Sequence, residues 1–331
     1  MNSLWIDSVK STEKKFESLD TNITTDVCIV GGGITGISTA YKLAKAGLKV
    51  CVLEKDAISH HATGNTTAKI TSQHGLFYNY LINNFSNDFA KGYLEANQNA
   101  ISDIKSIIDE ENIGCDFEYQ DNYVYTDLEE EVIKIKHEVL AVNSLGFNAD
   151  FVDNLSVPFN FLAGIKFPKQ AQFNPLKYIY GLCDSILKNN GKIYENSKVY
   201  DIKNTSDRYV TYTKSYTVNS KYVVLASHYP IINVPGFYFL KMYQEASYVI
   251  GIETSSPLFD GMYINTKSPI TSFRTATYNG KKILLIGGSE HKVGTNDNLS
   301  NCYKNLENVA KSLFPDCKIL FRWSTRRLYF S

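Results

Sequence analysis

Long apolar runs are missing from this 331-residue chain, and nothing in it approaches the ~20 consecutive apolar residues that cross a bilayer. Its opening stretch, MNSLWIDSVKSTEKKFESLD, also lacks the apolar segment of a secretory leader. Charge of one sign is not in excess: 34 Lys and Arg balance 34 Asp and Glu, so no global field points to nucleic acid or anionic lipid. Six cysteines, at 28, 51, 115, 183, 302 and 317, form no C-x-x-C or C-x-H pattern. Neither they nor the six histidines show a metal-ligand or Ser-His-Asp spacing, so no metal is expected. Cys28 and Cys51 lie in apolar strand-like runs and read as small buried hydrophobes. Together the absences describe a reduced, cytoplasmic protein with no membrane or nucleic-acid partner.

What is present is enough apolar material for real cores. Hydrophobic residues make up 44% of the chain and charged residues 21%, and the length suits about two domains. Residues 26–30, DVCIV, read as a buried strand that runs straight into glycines. From Ile34 onward, apolar residues fall on one helical face as far as Gly47, which stops the helix. KVCVL at 49–53 is a second buried strand, and it delivers Glu54 to its end.

This is β-α-β with G-x-G-x-x-G at Gly31, Gly33 and Gly36, and an acid eighteen positions after the last glycine. Gly31 permits the tight turn, Gly33 admits a pyrophosphate against the backbone, and Gly36 lets the helix pack on the sheet. Ile34 and Thr35, between the last two glycines, belong to the helix start whose N–H groups face phosphates. Glu54 accepts hydrogen bonds from ribose hydroxyls in such a site. The fold class is α/β, and the segment is a dinucleotide binder.

An NAD-dependent dehydrogenase would continue with further β-α units. Here DAISHHATGNTTAKITSQHG follows, a polar loop rich in Thr, Gly and His. Amphipathic helices come next, one with Phe89, Tyr93, Leu94, Ala100, Ile101, Ile104 and Ile108 on a stripe, another with Leu128, Val132, Ile135, Val139 and Val142. Between them, DFEYQDNYVYT alternates like a β-hairpin.

With "tDVCIVGGGITGISTAYKLAKAGLKVCVLEKD" running into "ATGNTTAKITSQHG", the chain resembles the FAD-dependent oxidoreductases of the D-amino-acid oxidase and glycine oxidase (DAO) family. It is most similar to the bacterial subgroup that normally ends in a Rieske iron–sulfur domain. The resemblance implies FAD as cofactor, with Gly31, Gly33, Gly36, Glu54 and Lys55 at its ADP half. His61, Ala62, Thr63, Gly64, Asn65, Thr66 and Thr67 correspond to the loop that follows the pyrophosphate to the flavin. The helix opening at Pro175, with its stripe of Leu176, Ile179, Leu182 and Ile186 ended by Gly191, is similar to the family's return to the FAD domain. Val199 corresponds to the position whose backbone meets the adenine, and Ala226 and Ser227 to the tip of the strand ending near the pyrophosphate.

Residues 237–290 read as successive strands, YFLKMY, SYVIGIE, GMYINT, ITSFRTA and KILLIGG, separated by turn signals. They resemble the antiparallel sheet of the family's mixed α+β substrate domain. Arg274, alone in a neutral strand, is the candidate contact for a substrate anion. The implied division is a Rossmann-like FAD domain of residues 1–75, 170–235 and 285–331, with a helical insertion and sheet at 76–169 and 236–284. No second G-x-G-x-x-G occurs, which favours a flavin reduced directly by a small-molecule amine or amino acid. The implied reaction is hydride transfer from a C–H beside nitrogen to flavin N5, with the electron-acceptor partner unspecified.

The end departs from the pattern. RWST at 322–325 matches the family, and six residues follow it, where the strand–turn–helix unit of relatives needs about fifty. The expectation is that this unit and the Rieske domain are absent. The alternative reading is then an FAD- or ADP-binding remnant of impaired catalysis.

Overall fold

A short helix, α1 (Leu4–Ser8), precedes the first strand, β1 (Ile23–Val30), in a structure that is a computed structural model describing residues 3–232, 234, 236–295 and 299–330. Next come α2 (Ile34–Lys45) and β2 (Val50–Leu53), as the apolar periods require. Gly36, Ile37, Ala40, Tyr41 and Ala44 form the buried face of α2. Gly47, at φ +84°, ends it by donating its N–H to Ala44 O at 2.9 Å. The strands β1 and β2 are parallel, from Val27 opposite Val50 to Val30 opposite Leu53. Val27–Val30 and Val50–Leu53 are buried throughout, which is why these runs are continuously apolar rather than alternating.

The chain then builds β3 (Lys69–Ile70), α3 (Tyr78–Asn84), α4 (Asn87–Glu110), β4 (Glu118–Thr126), α5 (Glu129–Ser144), β5 (Asp150–Val152) and β6 (Ala163–Gln172). It continues with α6 (Pro175–Lys188), β7 (Lys192–Tyr194), β8 (Asp201–Asn204), β9 (Tyr209–Tyr212) and β10 (Thr217–Leu225). The final run is β11 (Met242–Glu253), β12 (Met262–Asn265), β13 (Thr271–Tyr278), β14 (Lys281–Lys292), α7 (Leu299–Leu313) and β15 (Lys318–Phe330).

These elements form two units. The first holds residues 5–66, 175–246 and 325–330; the second holds residues 3–4, 67–174 and 247–324. In the first, a six-stranded sheet has the order β7-β2-β1-β10-β9-β8. Its first four strands run parallel and β9 and β8 turn back antiparallel. In the second, a nine-stranded sheet has the order β15-β11-β14-β13-β12-β4-β6-β3, with β5 on β6. A core of Tyr78, Leu94, Val124, Ile135, Val142 and Phe167 gathers α3, α4, α5, β4 and β6 in that unit.

Several expectations change here. Residues 285–324, grouped above with the FAD domain, fall in the second unit, because β14 pairs with β13 along its length from Tyr278 opposite Lys281 to Thr271 opposite Gly288. Residues 67–75 and 170–174 fall there too, and residues 236–246 fall in the first unit. The DFEYQDNYVYT segment is a single strand rather than a hairpin: β4 pairs antiparallel with β6 and parallel with β12. The pairing with β6 shifts register between Gln120 and Asn122, with no turn there. YFLKMY is a 3-10 turn at Tyr238–Leu240 followed by the start of β11, which runs on through SYVIGIE. At the end of α6, Asn190 takes the left-handed conformation (φ 60°), while Gly191 is required for space, since a Cβ there would lie 2.5 Å from Ile186 Cγ2. Among the described residues, no helix is long and apolar enough to cross a membrane.

Candidate cofactor site

The turn after β1 is compressed from two sides. Gly31 has φ +111°, and a Cβ on it would stand 2.7 Å from Ala226 O. A Cβ on Gly36 would stand 1.9 Å from Gly31 O. Both positions therefore exclude any side chain. Ala226 is held in place by its own N–H, which donates to Val30 O at 2.8 Å, and Gly31 N–H donates to Leu53 O at 2.9 Å.

Gly33 is the N-cap of α2 in extended conformation, with no side-chain cap. The Ile34 N–H donates to Thr63 Oγ1 at 2.9 Å. The first intrahelical bond is Ile37 N–H to Gly33 O at 3.0 Å, so the amides of Thr35 and Gly36 precede the helical ladder. Ile34 and Thr35 are exposed, which leaves the positive end of the helix macrodipole open to an anion.

Glu54 is 6% exposed at the end of β2. Its Oε2 accepts from Gly32 N–H at 2.7 Å and its Oε1 from Asp56 N–H at 3.0 Å. Each oxygen keeps a lone pair for a further donor. Beside it, Asp56 lies 3.0 Å from Lys55 Nζ and 2.6 Å from His61 Nε2. The hydrogen bond from Lys55, followed by that from His61, holds the Asp56 carboxyl below its ordinary range. Glu54, Asp56 and His61 have ligand atoms within 4.8 Å of one another, but these oxygens are already engaged by amides, Lys55 and imidazole.

The polar loop folds into a 3-10 turn at Thr63–Asn65 that starts from Ala62. Asn65 Nδ2 donates to His60 O at 3.1 Å and to His61 O at 2.7 Å, and Gly64 has no room for a Cβ, which would lie 2.4 Å from Ser59 O. Thr66 O accepts from Trp5 Nε1 at 2.7 Å. Val199, 5% exposed, packs in one cluster with Val30, Leu53 and Cys28. Ser227 follows Ala226, its Oγ donating to Tyr229 O at 2.8 Å. Of the expected cofactor residues, all but Thr67 lie in the first unit; Thr67 falls in the second.

Sequence reasoning missed two side chains that shape this region. Ser59, at φ 60°, meets Gly32 O through both its N–H and its Oγ at 3.1 Å. Glu195, 5% exposed, accepts from Ile58 N–H at 2.7 Å and from Phe16 N–H at 3.0 Å. A serine in a polar loop and a glutamate in a turn carry no local sign of such long-range duties.

Arg274 differs from its expected role. It is 3% exposed in the second unit. Its Nη1 donates to Ala68 O at 2.6 Å, Thr67 O at 3.0 Å and Phe173 O at 3.4 Å, and its Nε donates to Thr275 O at 2.9 Å. Burial pulls its pKa down to about 9, against the raising effect of Glu118 and Asp116. A guanidinium turned into four main-chain carbonyls braces three chain segments, and the expectation of a substrate-anion contact finds no support in that posture.

Residues 26–329 match the family described as DAO, FAD dependent oxidoreductase. The chain belongs to this family, whose cofactor is a flavin. It is 37% identical over 95% of its length to YhfW of Bacillus subtilis (strain 168), which carries the name of a Rieske 2Fe-2S iron–sulfur protein, and covers 62% of it. It is 28% identical over 64% of its length to gamma-glutamylputrescine oxidoreductase of Escherichia coli (strain K12), covering 51% of that protein. The chain thus spans between half and two thirds of these curated relatives. Its fold is that of glycine oxidase from Geobacillus kaustophilus, with a TM-score of 0.74 at 17% identity over 93% of this chain and 84% of that one. L-proline dehydrogenase from P. horikoshii gives a TM-score of 0.75 at 16% identity, over 92% of this chain and 82% of that one.

The residues present fit the flavin cofactor. A turn with no room for a Cβ at Gly31 and Gly36, an exposed start of α2 and a buried carboxylate at the tip of β2 suit the ADP moiety of such a cofactor.

Proposed function

We propose that this chain binds FAD through its first unit and takes part in oxidising a small amine or amino acid. The observation that carries the reading is the turn after β1, closed to a Cβ at Gly31 and Gly36 and backed by Glu54. The exposed helix start at Ile34–Thr35 receives the pyrophosphate, and Glu54 accepts from the ribose hydroxyls while its charge repels a 2′-phosphate. Lys55, the loop His61–Thr67, Val199, Ala226 and Ser227 complete the cofactor contacts. The second unit serves the substrate; its nine-stranded sheet is mixed rather than antiparallel, since β4 runs parallel to β12. When bound, the flavin supplies a two-electron acceptor for hydride from a C–H beside nitrogen. The chain's own part is to position the dinucleotide, exclude water and orient the amine. A cytoplasmic site of action belongs to the same reading, since the six cysteines are scattered and not spaced as a disulfide framework.

The test is an absorption spectrum of the purified protein before and after incubation with FAD and desalting. Retained flavin absorption is the expected result, followed by anaerobic bleaching with a member of an amine and amino-acid panel. A protein that retains no flavin after saturation overturns the cofactor reading. Retained flavin that no amine bleaches overturns the substrate class alone.

A further inference from the structure

Cys28 in β1 and Cys51 in β2 stand directly opposite each other in the parallel pairing of these strands. Both are free thiols, 0% and 1% exposed. They emerge on the same face of the sheet, in one cluster with Val30, Leu53, Val199 and Val218. Neighbouring strands lie about 4.8 Å apart, which places opposed Cα atoms inside the roughly 4.4–6.8 Å window that a disulfide spans. The other four cysteines lie outside the strands.

Burial alone argues for inert thiols. Two observations point the other way. The thiols interact, and a hydrogen bond from Cys51 holds the Cys28 thiol below its ordinary pKa despite burial. Also, the side chains closing over this face, Ile23, Tyr194, Ile202, Tyr216 and Val223, are only partly buried, so a small local opening admits a small oxidant.

We propose that Cys28 and Cys51 form a modification site, a dithiol that a peroxide converts to a disulfide joining β1 to β2 three residues ahead of Gly31 and of Glu54. The Cys28 thiolate attacks one peroxide oxygen, the O–O bond breaks, and hydroxide leaves a sulfenic acid on Cys28. The Cys51 sulfur then attacks that sulfur, the S–O bond breaks, and the oxygen departs as water with the Cys51 proton. In sum, two thiols and one hydrogen peroxide yield one disulfide and two waters; the sulfurs lose the two electrons that the peroxide gains. In-register Cβ atoms on parallel strands sit wider than the ~3.8 Å that a relaxed bridge prefers, so the bond is strained and readily reduced. The inference does not depend on the cofactor reading.

The test is graded hydrogen peroxide on the thiol-reduced full chain, then denaturing alkylation, thiol counting and peptide mapping by mass. The expected result is loss of two of the six thiols, a peptide cross-linked between Cys28 and Cys51, and recovery of both thiols with dithiothreitol. Cys28→Val abolishes the cross-link, and Cys183→Ala leaves it intact. Six surviving thiols, a bridge between other cysteines, or single oxidation to sulfinic acid overturns the proposal. The wild-type map decides the matter even where Cys28→Val does not fold.

Discussion

Gly32 donates its N–H to Oε2 of Glu54 at 2.7 Å, joining the turn after β1 to the tip of β2. A single carboxylate therefore shapes the glycine turn, and in the proposed reading it also accepts from the ribose. A hydrogen bond to a charged group contributes about 1.5–3 kcal/mol. Glu54→Gln removes the charge at constant shape, and the Kd for FAD is expected to rise on the order of tenfold or more, read by flavin fluorescence titration. Unchanged affinity would separate Glu54 from the cofactor.

Gly36→Ala places a methyl where Gly31 O already stands 1.9 Å away. Backbone cannot yield as a side-chain tip does, so the turn or the helix must shift. The expected cost is roughly 1–3 kcal/mol or more, visible as a lower Tm together with weaker FAD retention. Gly47→Ala meets no neighbour within 4 Å and strains only its positive φ, so its penalty is smaller and leaves FAD retention unchanged.

Arg274→Lys distinguishes a brace from a substrate contact. A lysine cannot reproduce a planar fork directed at several carbonyls, and those of Ala68 and Thr67 would lose donors in a buried place. Stability is expected to fall by about 1–3 kcal/mol in denaturant unfolding. A normal unfolding curve with only a raised KM for an anionic amine would restore the substrate role.

Glu138, 1% exposed, accepts from Phe77 and Tyr78 N–H at 2.7 Å and from Asn79 N–H at 2.9 Å, closing the start of α3 from across its unit. Burial raises its pKa above the ordinary 4.5 in spite of these three bonds. A carboxyl raised in the folded state contributes stability that is full below the unfolded pKa and is lost as pH rises through the folded one. The difference in unfolding free energy between wild type and Glu138→Gln is therefore expected to shrink as pH rises from about 4.5. A difference that grows with pH would contradict the sign.

Residues 222–240 contain no Lys, Arg, Asp or Glu, and within them Tyr222 is 65%, Val234 67% and Leu240 71% exposed. Beyond Ser220, which pairs with Tyr209, β9 no longer covers the edge of β10. Such an edge promotes self-association. Tyr222→Lys with Leu240→Glu is expected to raise the solubility limit and lower dye binding to exposed apolar surface, with little change in Tm.

Much of the first unit could be read directly from residues 26–54. The buried strands, the helix between them and the glycine turn are local features, set within a few residues by side-chain period and by the lack of a Cβ. The same holds for α4 and α5, whose stripes recur every three or four residues, although Phe89 and Ala100 of the α4 stripe are exposed. Pairing across long separations could not be read this way. Alternation in DFEYQDNYVYT shows a strand, but whether it folds on itself or joins β6 and β12 depends on partners far along the chain.

Charged side chains mark the same divide. The place of Glu54 was legible because it follows directly on β2. Glu195, Glu138 and Arg274 were not, because a buried ionisable group takes its meaning from whichever backbone N–H or carbonyl lacks a partner nearby, and only the assembled chain decides that. By itself, the sequence determined the β-α-β unit, its glycine turn and its family, because these follow from local sterics and period. Tertiary structure alone decided that residues 285–324 join the second unit, that Arg274 braces carbonyls and that Cys28 faces Cys51, because strand register and burial are properties of segments brought together from distant parts of the chain.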